Sequence, residues 1–180
     1  MNRISKILIK GKRIYLRKVQ LSDVTDRYVN WMNDPEVNEY LETRFSLQTH
    51  ETISSYVREI EEDANTVFMA IVLKSINTHI GNIKIGPINP FHHFADLSLI
   101  IGEKTHWAQG YGSEAIGLAV EYAFDVLNLH KLSAGFYAGN IGSIKAFKKN
   151  GFVEEGLRKK HRFFQNRYVD EVSMGKIRPD

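Results

Sequence analysis

The sequence predicts a mixed α/β fold of three layers: a central, mostly antiparallel sheet with one parallel strand pair, covered by helices on both faces. Three observations predict it. The apolar runs "TVFMAIVLK" (66–74) and "HIGNIKIGPIN" (79–89) are separated by the turn-length "SINT", which makes an antiparallel hairpin. A third run, "FADLSLIIG" (94–102), reaches the next strand, "KLSAGFYA" (131–138), only through the long helical segment "GSEAIGLAVEYAFDVLN" (112–128). A right-handed crossover of that kind makes the two strands parallel.

The remaining elements follow in order. "RIYLRKV" (13–19) alternates as a strand. "LSDVTDRYVNWMNDPEV" reads as a helix capped by Ser22 or Asp23, with Val24, Tyr28 and Trp31 or Met32 on its apolar stripe. Asp34-Pro35 ends it, because the residue before a proline is pushed out of the helical region. "SLQTHETISSYVREIEED" gives a second helix with Ile53, Tyr56, Val57 and Ile60 on one face. In "HIGNIKIGPIN", Ile80 breaks the alternation beside Gly81. The long helix turns Ala115, Ile116, Ala119, Ala123 and Val126 to a core, and "NIGSIKAFKKNG" is a helix ended by Asn150-Gly151. "FVEEG" and "RYVDEVSMGKI" close the chain as a strand pair. No linker, repeat or low-complexity segment divides residues 1–180, so one domain is expected.

Composition narrows the function. With 43% hydrophobic and 25% charged residues, the chain has the make-up of an ordinary globule. No apolar run approaches the ~20 residues of a membrane span. The N-terminus lacks the apolar core of a signal peptide, so a cytoplasmic protein is expected. The absence of cysteine excludes disulfides, thiolate zinc sites and a cysteine nucleophile. A net charge of +3 suits an anionic ligand but is too small an excess to argue for nucleic acid. The seven histidines show no metal-binding spacing, so no metal is expected.

The most informative stretch is "HWAQGYGSEA" (106–115). Gly110 and Gly112 remove side chains where a backbone must approach a ligand, just before a helix whose first amides are unpaired. That combination serves either an anion or a plain tight turn. A Walker loop is excluded, since no Gly-Lys-Ser/Thr occurs. "GYGSEA" satisfies the dinucleotide fingerprint G-x-G-x-x-A, but its loop is too long after the strand. The next strand also lacks a terminal acidic residue for a ribose.

The strand "LSLIIG", the loop "WAQGYG", the helix start "SEA" and the later "NIGSIKAFKKNGF" together resemble the GNAT superfamily of N-acetyltransferases. The similarity is strongest to the branch of ribosomal-protein and spermidine acetyltransferases. "WMNDPEV" and "EGLRKKHRFFQNRYVDEV" extend it over nearly the whole chain. The resemblance implies acetyl-CoA as co-substrate, without a metal, on a strand pair splayed to hold it. It places the pyrophosphate over Gln109, Gly110, Tyr111, Gly112 and Ser113, and pantetheine near Ile100, Ile101 and Gly102. Asn140 and Ser143 match the superfamily's Asn-x-x-Ser, Asn140 toward the cofactor and Ser143 capping or lining the helix. Asn140 is equally a plain helix cap. Trp107 fills a position where the superfamily has Gln or Arg. Phe147 stands where many relatives carry a tyrosine that serves as general acid; the resemblance makes Phe147, like Trp107, an expected cofactor contact.

Acetyl transfer to an amine needs a neutral amine and a donor for the developing oxyanion. Without cysteine, direct attack in a ternary complex is the expected route. The backbone N–H of Ile100 is the expected oxyanion donor. Asp96 is the expected base, since Asp96, Ser98 and Ile100 share a strand face; the alternative is a hydrated residue at the strand's start. Glu36, His92 and His93 are further candidates for the acceptor region. The resemblance puts the acceptor site at residues 31–58, with Trp31, Glu36 and Arg44 as expected contacts. That segment holds no acidic cluster suited to a polyamine, and "GLRKKHRFF" (156–164) is basic. A nucleotide-linked amino sugar therefore fits the charge pattern, with a protein N-terminus or a polyamine as alternatives. Two rival classes remain: a non-catalytic acyl-CoA sensor, and a nucleic-acid binder using residues 156–167. No nucleic-acid or membrane partner is expected, and homodimers are common among relatives.

Overall fold

The computed structural model describes residues 8–179; the segment 1–7, where a leader would begin, lies outside them. Eight strands form one sheet, in the order β1-β2-β3-β4-β5-β6-β8-β7. They are β1 (Leu8–Lys10), β2 (Ile14–Lys18), β3 (Val67–Leu73), β4 (Thr78–Asn89), β5 (Phe94–Ile101), β6 (Lys131–Tyr137), β7 (Val153–Phe164) and β8 (Arg167–Ile177). Every neighbouring pair is antiparallel except β5–β6, the parallel pair that the crossover requires. Four helices cover the sheet: α1 (Asp26–Asn33), α2 (His50–Glu62), α3 (Tyr111–Glu121) and α4 (Ile141–Lys149).

The helices divide between two cores. On one face, Tyr28 and Trp31 of α1 and Ile53 and Val57 of α2 pack on Ala70 and Val72 of β3. On the other, Ala115, Ile116 and Ala119 of α3 and Ile144 and Phe147 of α4 pack on Leu16, Met69, Ile83 and Leu97. The phase break at Ile80 is a bulge: Ile71 pairs with Gly81 and Val72 with His79, which leaves Ile80 without an opposite residue.

Two expected details are corrected. Neither Ser22 nor Asp23 caps α1, which starts at Asp26 after Thr25. Asp23 instead lies in a short 3-10 turn and accepts from both Arg17 Nη atoms at 2.6 and 2.7 Å and from Gln20 N–H at 2.8 Å. An ion pair with the neighbouring strand wins over a helix cap. Burial alone pushes the Asp23 carboxyl up, but the Arg17 and Gln20 hydrogen bonds outweigh it and leave it below the ordinary carboxylate value. A depressed folded pKa gives stability that is present above about pH 4 and lost as pH falls through the folded value. The urea midpoint should therefore drop on acidification, and should drop less in Asp23→Asn. That variant should already be weaker at pH 7, by about 1–3 kcal/mol.

The second correction concerns the end of the long helix. After Glu121 it widens into a π-helical turn at Tyr122–Val126, with Leu127 N–H bonding back to Tyr122 O at 3.1 Å. The extra residue in the turn rotates the chain beyond it. Val126 is therefore 53% exposed, and Leu129 fills the core instead.

Candidate active site

The parallel pair makes the site. Strands β5 and β6 pair only at Phe94–Lys131, Ala95–Leu132 and Asp96–Ser133, and beyond these rungs they separate. Strand β5 stays paired with β4 through Ile100–Asn82 and Ile101–Gly81. Antiparallel ladders alternate the direction of their amides. Just past β5, Gly102 N–H donates to Ile80 O at 2.9 Å. Counting back, Ile100 and Ser98 turn their amides toward β4, while Leu99 and Ile101 turn theirs into the split. The expected donor, Ile100 N–H, is thus already committed to the sheet, and its neighbour Leu99 presents the available amide.

The glycine loop closes the wide end of the split. Gly110 has φ +82°, the left-handed region that favours glycine, and precedes α3 as its cap residue. The first helical N–H to bond back is that of Glu114, to Gly110 O at 3.0 Å. The amides of Tyr111, Gly112 and Ser113 in the first turn therefore have no intrahelical partner, and the positive end of the helix dipole lies beside them. A Cβ on Gly112 would meet Leu99 Cδ1 at 3.3 Å and Ile101 Cγ1 at 3.6 Å, so this turn lies hard against β5.

Arg13, at the head of β2, braces the turn from outside. Its Nε donates to Glu114 at 2.9 Å, its Nη1 donates to Gln109 O at 2.8 Å, and its guanidinium sits 4.4 Å from the Tyr111 ring centre. Trp107 now has a reason: its indole N–H donates to Ile101 O at 2.7 Å, tying the loop to β5 at the open side of the split. Gln109 Nε2 likewise holds Thr105 O at 2.7 Å. An extended arm ending in a pyrophosphate, as the resemblance implies, fits this arrangement. The split exposes unpartnered strand amides, and the glycine turn offers backbone donors with no side chain in the way.

On the α1–α2 face the split opens into a cavity of about 470 Å³. Met32, Ile53, Tyr56 and Phe68 form one wall, and Ser98, Ile100, Phe136, Tyr137 and Asn140 another. Its polar groups include Tyr40, Glu42, Thr43, Gln48, Asn82, Lys84, Arg162 and Glu171. Tyr137 links them, donating from Oη to Glu42 at 2.9 Å and accepting from Arg44 Nη2 at 2.8 Å. Arg162 also reaches Glu42 (3.2 Å) and, through Nε, the buried Glu171, which accepts from Arg158 as well (3.0 Å).

The other expected site residues divide. Arg44 is brought in, through Tyr137. Asn140 caps α4, its Oδ1 accepting from Ser143 N–H at 3.3 Å, and it also lines the cavity. Asp96 stands at the last rung of the β5–β6 ladder, two residues before the cavity-lining Ser98 on the same strand face. Although Asp96 is exposed overall, partial burial pushes its carboxyl above the ordinary value, with Lys84 pulling the other way.

Trp31 is not an acceptor contact: it is buried under the sheet end, edge-on to His79, and Gly102 exists to admit it, since a Cβ there would fall 2.1 Å from the indole. Gly102 thus has a packing role of its own. Glu36 points away and pairs with Lys104 at 3.0 Å. His92 and His93 sit in an exposed turn. Among the described residues no group of histidines and carboxylates could hold a metal.

Phe147 is also corrected. It is 0% exposed, wedged between Phe136 and Phe152 with both ring centres at 4.8 Å, and does not reach the cavity. Phe147→Tyr should place a hydroxyl in that cluster at a cost of roughly 1–3 kcal/mol, seen in the urea midpoint. Turnover per folded molecule should change only modestly; a large gain in initial rate would mean that the hydroxyl reaches the thiol after all.

Several residues were missed from sequence. Glu42 and Glu171 lie 129 positions apart in sequence and meet only through the fold. Asn150 does more than end α4: its Nδ2 donates to Ser113 Oγ and Ser113 O, each at 3.0 Å, which binds α4 to the glycine turn. Arg13 and Asn82 carry no local signal at all.

Comparison with known proteins agrees with this geometry. Residues 13–153 match the acetyltransferase (GNAT) domain family. The chain is 29% identical over 186 residues to a probable N-acetyltransferase of Bacillus subtilis, covering 96% of this chain and 98% of that one. It is 30% identical over 119 residues to the spermidine N(1)-acetyltransferase of Vibrio cholerae, covering 66% and 67%. In fold it is similar to the crystal structure of spermidine N-acetyltransferase from Vibrio cholerae in complex with CoA and spermine. The TM-score is 0.82 at 23% identity, over 92% of this chain and 95% of that one. A split sheet with a glycine turn at its mouth, matched over most of its length by this family, makes the chain a member of the GNAT family: an N-acetyltransferase that takes its acetyl group from acetyl-CoA.

Proposed function

We propose that the acceptor is a small primary amine carried on an anionic group, with nucleotide-linked amino sugars as the matching class. The observation that carries this is the charge state of the cavity. Its two carboxylates are already engaged, Glu42 by Arg162 and Tyr137, and Glu171 by Arg158 and Arg162. Lys84 adds a further cation to the wall, with Arg44 behind Tyr137. With Arg44 and Arg158 just behind the lining, four cations stand against two carboxylates, a surplus that attracts an anionic carrier, whereas a polyamine brings more positive charge to it. The Vibrio cholerae relatives, named for spermidine, support a small amine acceptor and leave the polyamine as the alternative.

In this reading Gln109 to Ser113 hold the pyrophosphate through backbone amides, and Leu99 N–H serves as the oxyanion donor in place of Ile100 N–H. Acetyl-CoA supplies an activated thioester whose thiol, with an ordinary pKa of ~8.5, leaves without a dedicated acid. Asp96, with its raised pKa, stands two residues before the cavity-lining Ser98 and accepts the amine proton through a bridging water, since its side chain is short. An acceptor screen with released thiol as readout tests the assignment. Amino-sugar nucleotides should be the best acceptors, and their advantage over the free amino sugars should shrink at high salt. Spermidine outpacing every anionic amine would overturn it. Acetyl-CoA binding with no turnover on any amine would favour the sensor reading.

A further inference from the structure

Two buried side-chain atoms among the described residues lack any hydrogen-bond partner, Asn82 Nδ2 and Thr43 Oγ1, and both residues line the same cavity. Asn82 is 2% exposed and sits on β4 directly opposite Ile100, beside the split. Its other amide atom is fixed, Oδ1 meeting His79 Nε2 at 2.8 Å. His79 is itself held edge-on by Tyr28 and Trp31, with ring centres at 5.8 and 5.2 Å. Burial holds the imidazole below its ordinary pKa, so at neutral pH it is uncharged and its N–H can donate to Asn82. That leaves the Asn82 N–H pointing away from its anchor. Thr43 belongs to the turn Glu42–Phe45 and reaches the cavity from a different element.

An unpartnered buried donor is costly unless a ligand or solvent meets it. An acceptor seated in the cavity can relieve that cost by presenting an oxygen to these points. A polyamine has no such atom to offer, because its nitrogens are protonated except the one that attacks. We propose that Asn82 and Thr43 are specificity-determining residues that hydrogen-bond an oxygen adjacent to the reacting amine. The acceptor class is then a vicinal amino alcohol, as in an amino sugar, or an α-amino carbonyl compound. This deepens the proposed acceptor assignment, on which it rests for the acceptor site, and does not depend on the anionic carrier.

The test uses matched amines that differ by one oxygen beside the amine: an amino sugar and its deoxy counterpart, and 2-amino-1-propanol and isopropylamine. The sugar pair is presented both free and nucleotide-linked, and spermidine is the oxygen-free control. In the wild type the oxygen should raise kcat/KM about tenfold to a hundredfold, the range expected for leaving one buried donor unmet. Asn82→Leu should erase that difference by lowering only the oxygenated member. Thr43→Val, isosteric and clear of His79, should reduce it without disturbing the fold, and covers the case in which Asn82→Leu fails to fold.

The proposal is overturned if the oxygen confers no advantage, if Thr43→Val and Asn82→Leu lower both members equally, or if no oxygenated amine is acetylated. A lost carrier effect with an intact oxygen effect would overturn only the nucleotide reading. The reverse pattern would overturn only this one.

Discussion

Gly112→Asp should abolish the stabilisation that acetyl-CoA gives the folded protein. At a hundred times its dissociation constant, a ligand adds ~2.7 kcal/mol, which for a chain of this size raises Tm by roughly 5–10 °C. The variant places a carboxylate among the three unpartnered amides at the start of α3, where the pyrophosphate is expected. Its Cβ would press on Leu99 at 3.3 Å, a tight but yielding contact, and an acid in the first turn suits the helix dipole. The free variant should therefore stay within about 1 kcal/mol of wild type in urea, while the shift with acetyl-CoA disappears and acetyl transfer falls to background. A normal shift in the variant would remove the glycine turn from the cofactor site.

Asp96→Asn should lower kcat by about a hundredfold or more while leaving the acetyl-CoA shift intact, the usual size of a lost general base. Because partial burial raises the Asp96 carboxyl, the acid limb of the wild-type rate profile should lie above the ordinary carboxylate range and vanish in the variant. Glu42→Gln is the comparison. Glu42 sits on the far wall, bonded to Tyr137 and Arg162, so its loss should act mainly on KM for the acceptor. If Glu42→Gln removes the acid limb and Asp96→Asn does not, the base belongs to the far wall.

Much of this was legible in the sequence because it is local. The hairpin 66–89, the crossover and the glycine turn each announce themselves within a short span, and the bulge at Ile80 showed as one broken alternation. What stayed hidden depends on partners in other elements of the fold. Asp23 reads as a helix cap until Arg17 is seen beside it. Trp31 reads as an acceptor contact until Gly102 is found beneath its ring. The swap of Ile100 for Leu99 has a different origin: alternation tells which residues share a face but not which way the amides turn, and that comes from the hydrogen-bond register with β4.

Alternating amides in β5 carry a consequence for exchange with solvent deuterium. Ser98 and Ile100 are locked to β4, while Leu99 and Ile101, in the same strand, face a gap. One continuous strand should thus label as a comb, with slow and fast positions in turn, although all belong to the same central strand of the sheet. Acetyl-CoA should fill the teeth of that comb, slowing Leu99 and Ile101 and leaving Ser98 and Ile100 unchanged. A uniformly slow strand in the free protein would mean that the gap is closed in solution.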